Sequence, residues 1–168
     1  MSLAILLIVA FGPMLLEARR SAVNERALRA AGAVEPADDV YPVMRLAYPA
    51  CFLAMAFEAW VRGSGFGGTT LAGVFIFSCA KALKYWVVAT LGGRWTFRVL
   101  VPPGSERTLR GPYRLLRHPN YVAVVGELVG YALIARAPLA GVLAVAGFGA
   151  VLAARIRVEE RALGLRSR

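Results

Sequence analysis

The chain has 168 residues, 58% of them hydrophobic and only 18% charged, with a formal net charge of +10. Ordinary soluble domains are nearer half apolar and about a quarter charged, and here the charges are clustered between long uncharged runs, so a soluble globular domain is disfavoured. Nucleic-acid binding is set aside because the arginines flank runs of bilayer-spanning length, and a His/Cys metal site because one histidine and two cysteines, Cys51 and Cys79, are too few to build it.

Five apolar runs predict an all-α integral membrane protein, with residues 1–168 forming one domain. The first, Leu3–Leu16, lacks a basic leader and is followed by Glu17-Ala-Arg-Arg20, so it reads as a retained span with a membrane-edge flank. It is short for a bilayer, which calls for tilt or helical extension. The arginine- and alanine-rich stretch Glu17–Ala33 supplies that extension, with a stop near Gly32 and Pro36. Tyr41–Val61 and Thr69–Leu91 are the second and third spans. Glu58, beside Trp60 near the outer boundary of the second, reads as an interfacial residue.

Gly92–Gly111 is different. Trp95–Val101 alternates like a short strand before Pro102-Pro103-Gly104 breaks it, which predicts a compact hairpin or loop against the membrane surface. Asn120–Ala135 and Leu139–Ala154 are the last two spans. Gly126, Gly130, Gly141, Gly147 and Gly149 are candidates for close helix approach in lipid.

Arginines follow spans one, three and five: Arg19, Arg20, Arg26 and Arg29; then Arg94, Arg98, Arg107, Arg110, Arg114 and Arg117; then Arg155, Arg157, Arg161, Arg166 and Arg168. The opposite loops hold only Arg62 and Arg136. Positive residues mark the cytoplasmic side, so the N-terminus is expected outside and the C-terminus inside, in a bacterial inner membrane.

Two stretches on that basic face can carry chemistry. In Gly111-Pro-Tyr113 and Arg117-His-Pro-Asn-Tyr121, the prolines and glycine set an irregular backbone just where a membrane helix begins. Amides at that helix start can hold a carboxylate, and Tyr113 and Tyr121 can pack on an adenine; an interfacial belt of Arg and Tyr explains the same residues without a ligand. In Arg155-Ile-Arg-Val-Glu-Glu160, Arg155 and Glu159 lie one helical turn apart. They are either a surface ion pair or a site in which Arg155 meets an anionic substrate and Glu159 a cofactor.

Lys81, Lys84 and Glu127 fall inside spans, where charge is rare and usually faces the protein interior. Counting at about 1.5 Å per residue puts Lys81 and Glu127 both roughly 12–15 Å from the cytoplasmic edge. They are expected to pair, either as a structural tie or as the polar head of a lipid tunnel, while Lys84 has the alternative of snorkelling to the interface.

Gly-Pro-Tyr, Arg-His-Pro-x-Tyr and Arg-Ile-x-x-Glu-Glu-x-x-Leu, in that order, resemble the isoprenylcysteine carboxyl methyltransferase superfamily of membrane enzymes. The resemblance implies S-adenosyl-L-methionine as methyl donor and S-adenosyl-L-homocysteine as product. It implies a cytoplasmic cofactor site between the loop before helix four and the end of helix five, lined by Tyr113, His118, Pro119, Asn120, Tyr121 and Glu159. Arg155 would contact the substrate as the catalytic residue, with Arg98, Lys81 and Glu127 as further substrate-side candidates. Lys84-Tyr-Trp-Val-Val, Trp95-Thr, Arg98-Val and His118-Pro-Asn-Tyr-Val-Ala-Val-Val-Gly-Glu127 are closer to bacterial methyltransferases encoded beside type III polyketide synthases. Those resemble enzymes that O-methylate alkylpyrones or phenolic lipids. The chain departs from the superfamily at Glu106–Arg110, where an apolar pair is usual, and at Glu127, which disfavours a prenylated protein as substrate. The expected reaction is therefore O-methylation of an acidic lipid oxygen. The alternatives are a prenyl-cysteine carboxylate, a phospholipid amine, or a non-catalytic lipid-binding membrane protein.

Overall fold

A computed structural model describes residues 2–104 and 108–162. Arg107, Glu106, Arg166 and Arg168 lie outside the described residues. Five helices account for the architecture: α1 (Leu3–Ala30), α2 (Tyr41–Val61), α3 (Gly68–Leu91), α4 (Pro119–Ala135) and α5 (Pro138–Ala162). Short 3-10 turns at Gly92–Arg94 and Gly111–Arg114 bracket the long α3–α4 connection.

Local chemistry fixes the helix ends. The Ser2 side chain accepts the Ile5 N–H, and α1 runs unbroken through the arginine-rich stretch until Gly32 turns it at φ +80°. Pro119 opens α4, where its missing N–H costs nothing. Glu58 is more than an interfacial residue: its carboxylate accepts the N–H groups of Leu139 (3.3 Å) and Ala140 (2.6 Å) and so caps the start of α5.

Small residues set the packing. A Cβ on Gly73 would lie 2.6 Å from the Ile134 amide, one on Gly130 2.6 Å from the Phe77 amide, and one on Gly126 2.9 Å from the Ala80 side chain, so α3 and α4 touch backbone to backbone. Gly141 meets Ala132 in the same way across α4 and α5, whereas Gly147 and Gly149 face open space. Lipid offers helices no hydrophobic gain for associating, so close packing of this kind carries the association. Around it, Tyr48, Phe52, Tyr131 and Phe148 stack at ring separations of 4.9–5.0 Å, and the Tyr131 hydroxyl donates to the Leu6 carbonyl (3.0 Å).

The outward faces are apolar: Ile8, Leu46, Phe75 and Val142 are 69–70% exposed. Water penalises such a surface and lipid accepts it. Gly68–Arg94 and Pro138–Ala162 are each long and apolar enough to cross a bilayer; Pro119–Ala135 is apolar but shorter.

The strand-like alternation of Trp95–Val101 does not become a hairpin. Among the described residues it forms one antiparallel bridge, Val101 to Val34 in the α1–α2 linker. The extended segment is held mainly by side chains of α1: Asn24 donates to the carbonyls of Gly92 (3.1 Å) and Trp95 (2.7 Å), and Ser21 Oγ accepts the Phe97 N–H (2.8 Å). The helical extension of α1 is thus the scaffold on which the α3–α4 connection is laid.

Candidate active site

Where α4 begins and α5 ends, the bundle opens into a cavity of about 130 Å³. Tyr113, His118, Asn120, Tyr121, Arg155, Glu159 and Arg98 all line it, together with Arg94, Trp95 and Thr96. Pro119 does not: it is buried at the first turn of α4, where it fixes the backbone between His118 and Asn120. Residues far apart in sequence are brought together because the Trp95–Val101 segment is folded back over the helix ends.

The site is built from a few directed contacts. Tyr121 donates its hydroxyl to Glu159 (2.5 Å), crossing from α4 to α5. The His118 Nε2 faces Glu160 Oε1 at 3.1 Å, and Arg117 reaches the same oxygen at 3.1 Å. The Trp95 indole N–H points to the Asn120 side-chain oxygen at 3.4 Å, joining the loop to the helix start. Gly111, at φ +55°, passes so close to Thr90 that any side chain would collide with its hydroxyl.

Arg155 is 3% exposed and is not paired with Glu159, one turn away, as a surface reading would have it. It forms an ion pair with Asp39 and donates Nη2 to the Phe97 carbonyl (2.6 Å). Its Nε has no hydrogen-bond partner among the described residues. A buried donor left unmatched is costly, and Glu127 Oε1 is the other buried side-chain atom in that state among the described residues. Asp39 in turn accepts the N–H groups of Tyr41 (3.0 Å) and Val99 (3.1 Å), so one carboxylate ties the linker, the loop and Arg155 together.

Arg98 lines the cavity, but its guanidinium is committed to Glu35 (2.6 Å) and Glu25 (3.4 Å) and lies 4.4 Å from the centre of the Tyr41 ring. The hydrogen bond to Glu35 raises the pKa of Arg98 further. Burial pushes the Glu35 carboxyl up, but hydrogen bonds and charge from Arg98 and Arg29 outweigh it and hold it below its ordinary value.

Lys81 and Glu127 are not part of this cavity. They pair at 3.2 Å, as depth counting expects, inside a larger buried cluster. Lys81 also reaches Glu17 (2.7 Å), and Lys84 reaches Glu127 (2.7 Å) and Glu17 (3.3 Å). Tyr48 donates its hydroxyl to Glu127. Lys84, only 3% exposed, does not snorkel. Two acids and two bases from α1, α3 and α4, with a phenol from α2, therefore form one closed network.

Asp39 and Glu17 had no local signal in the sequence, and Glu160, though inside the Arg155–Glu160 stretch, was given no role there. Asp39 lies in a polar linker, Glu160 beside the more obvious Glu159, and Glu17 beside arginines that suggest a solvated flank.

Residues 71–164 match the model of the isoprenylcysteine carboxyl methyltransferase (ICMT) family, a stretch that includes the cavity residues of α3, the loop, α4 and α5. An uncharacterized protein of Bacillus subtilis (strain 168), YpbQ, is 29% identical over 140 residues, covering 83% of each chain. An uncharacterized protein of Haemophilus influenzae (strain Rd) is 28% identical over 141 residues, covering 83% of this chain and 82% of its own. No solved structure matches. The chain belongs to the isoprenylcysteine carboxyl methyltransferase family, and with it to the membrane-associated methyltransferases whose family methyl donor is S-adenosylmethionine.

Proposed function

We propose that this protein transfers a methyl group from S-adenosylmethionine to an acidic oxygen of a lipid dissolved in the membrane, an alkylpyrone or related polyketide lipid. The observation that carries the reading is the convergence of Tyr113, His118, Asn120, Tyr121 and Glu159 on one cavity with Arg155, whose buried Nε is an unmatched donor. We assign all five helices to the membrane, with the N-terminus outside and the cavity facing the cytoplasm of a bacterial inner membrane, in keeping with the arginine bias.

The cavity residues suit the methyl donor in kind. Aromatic faces at Tyr113 and Tyr121 suit an adenine, Glu159 suits a cationic or hydroxyl-bearing part, and the α4 start with His118 and Asn120 suits an amino-acid end. Pro119 holds that turn in shape. At about 130 Å³ the space is below the roughly 300 Å³ of small-molecule sites, so the cavity has to widen for the donor to enter. When bound, S-adenosylmethionine supplies a methyl group already activated by its sulfonium.

The chain's own work is then alignment. Arg155, anchored by Asp39 and the Phe97 carbonyl, presents Nε to the anionic oxygen of the substrate and holds it in line. An enolic or carboxylic oxygen is already ionised at neutral pH, so no strong general base is needed, which fits a chain with one histidine, itself paired with Glu160. Arg98 shapes the wall through its pairs with Glu35 and Glu25.

Saturable binding of S-adenosylhomocysteine to the purified protein is the expected result, and its absence removes the methyltransferase reading. The family's own description favours a second substrate, a prenyl-cysteine carboxylate. Methyl transfer from radiolabelled donor to an alkylpyrone but not to a farnesyl-cysteine acceptor is the expected outcome; the reverse preference selects the second substrate.

A further inference from the structure

Arg62 and Arg136 are the exceptions to the charge bias, and the fold places them together. They line a shared opening of about 330 Å³ with the Gly63-Ser-Gly65 turn, at the end of the bundle opposite the methyl-transfer cavity. From that opening a groove of about 650 Å³ runs between α4 and α5, walled by aliphatic side chains such as Val129, Leu133, Val142 and Val145, and both arginines also line its mouth.

Three details bear on what belongs there. Arg136 closes α4 in the left-handed conformation, φ +54°, the sole non-glycine residue with positive φ among those described. That conformation is an ordinary helix stop, closed by the Ala137 N–H on the Ala132 carbonyl (3.0 Å), and it suits glycine or asparagine better than arginine. Arg136 makes no ion pair among the described residues, and Arg62 stands 4.0 Å from Glu58. Glu58, the carboxylate that Arg62 approaches, is engaged with the α5 amides. The Arg136 guanidinium lies over the Gly67 backbone, so the two guanidinium groups and one committed acid leave a net positive mouth on an apolar groove that opens sideways.

We propose that this end of the protein binds an anionic phospholipid, its phosphate between Arg62 and Arg136 and one acyl chain along the α4–α5 groove. Guanidinium forks match phosphate oxygens in charge and geometry, and the groove removes aliphatic surface from any polar contact. A soluble anion satisfies only the first feature, and a neutral lipid only the second. The site is separate from the methyl-transfer cavity and stands whatever the substrate there.

The test is thermal unfolding of the purified protein in neutral detergent with added phosphatidylglycerol, phosphatidylcholine or inorganic phosphate. At about 100-fold above its dissociation constant, phosphatidylglycerol is expected to raise the midpoint by about 5 °C, and the other two by under about 1 °C. The double variant Arg62→Gln/Arg136→Asn, in which asparagine tolerates the backbone at 136, is expected to lose the shift and keep S-adenosylhomocysteine binding. Arg62→Gln alone, at an exposed site, is the variant that folds in any case, and at least half of the shift is expected to go with it. Native mass spectrometry should show phosphatidylglycerol retained by the wild type alone. Equal shifts with both lipids, a full shift from inorganic phosphate, or a full shift in the double variant overturns the proposal. So does a dimer in detergent that Val142→Trp splits without changing the lipid response, because then a second copy fills the groove.

Discussion

The protein holds two polar centres, and they are constructed in opposite ways. In the network of Glu17, Lys81, Lys84 and Glu127, two acids meet two bases at 2.7–3.3 Å and every charge is answered by another. In the cavity between the start of α4 and the end of α5 the charges are also paired, and Glu127 Oε1 and Arg155 Nε alike lack a hydrogen-bond partner among the described residues, but here the walls enclose about 130 Å³ of space. A packed network joins helices; one that borders a cavity leaves room for a ligand. On our proposal that difference separates Lys81 and Glu127, which tie helices together, from Arg155, which serves the reaction, although all three are charged and largely buried.

The sharpest way to break the distinction is Glu127→Ala. It leaves two lysines facing one carboxylate, and unfolding in detergent should show a loss of about 3–5 kcal/mol, whereas Lys84→Met/Glu127→Leu, which leaves Lys81 and Glu17 balanced, should lose less than the two single changes together. Unchanged stability in Glu127→Ala would place that residue in function and not in structure. Next in size is Arg155→Lys, which keeps the charge but not Nε. We expect methyl transfer to fall about 100-fold or more, with stability changed far less than in Glu127→Ala. Tyr121→Phe removes the hydroxyl that Glu159 accepts, a bond to a charged group of about 1.5–3 kcal/mol. It should weaken S-adenosylhomocysteine about tenfold in a titration.

The smallest effect is a matter of pH. Because the Glu35 carboxyl lies below its ordinary value of 4.5, the stability it contributes is present above that value and is lost as pH falls through the lowered one. Glu35→Gln should flatten the acid side of a stability-against-pH curve and leave the neutral region nearly unchanged. A curve that is equally steep in both proteins would show that Arg98 and Arg29 do not perturb it.

What the sequence made legible follows from range. The helices were readable because apolar runs are local, and α2, Tyr41–Val61, has the bounds expected of it. The turn before α4 was readable because proline and glycine constrain their own neighbours. Asp39 was not, since its partners Val99 and Arg155 lie far along the chain, and nothing near a Pro-Ala-Asp-Asp linker announces a buried carboxylate. Glu17 was misread for a related reason: Arg19 and Arg20 suggest a solvated edge, but Glu17 faces inward on the helix and meets Lys81 and Lys84. Trp95–Val101 has the alternation of a strand without a partner strand, because the linker opposite it leaves after a single bridge, toward Pro36.

Glu17 also bears on how the protein is made. A carboxylate carried into the bilayer alone is expensive, and its two lysines belong to a helix that emerges from the ribosome some 65 residues later. Glu127, equally dependent on those lysines, arrives later still. Until α3 has been made the acid on α1 has no partner, and the cluster balances only once α4 has added the second acid, so the polar tie among these three helices is a late step of assembly.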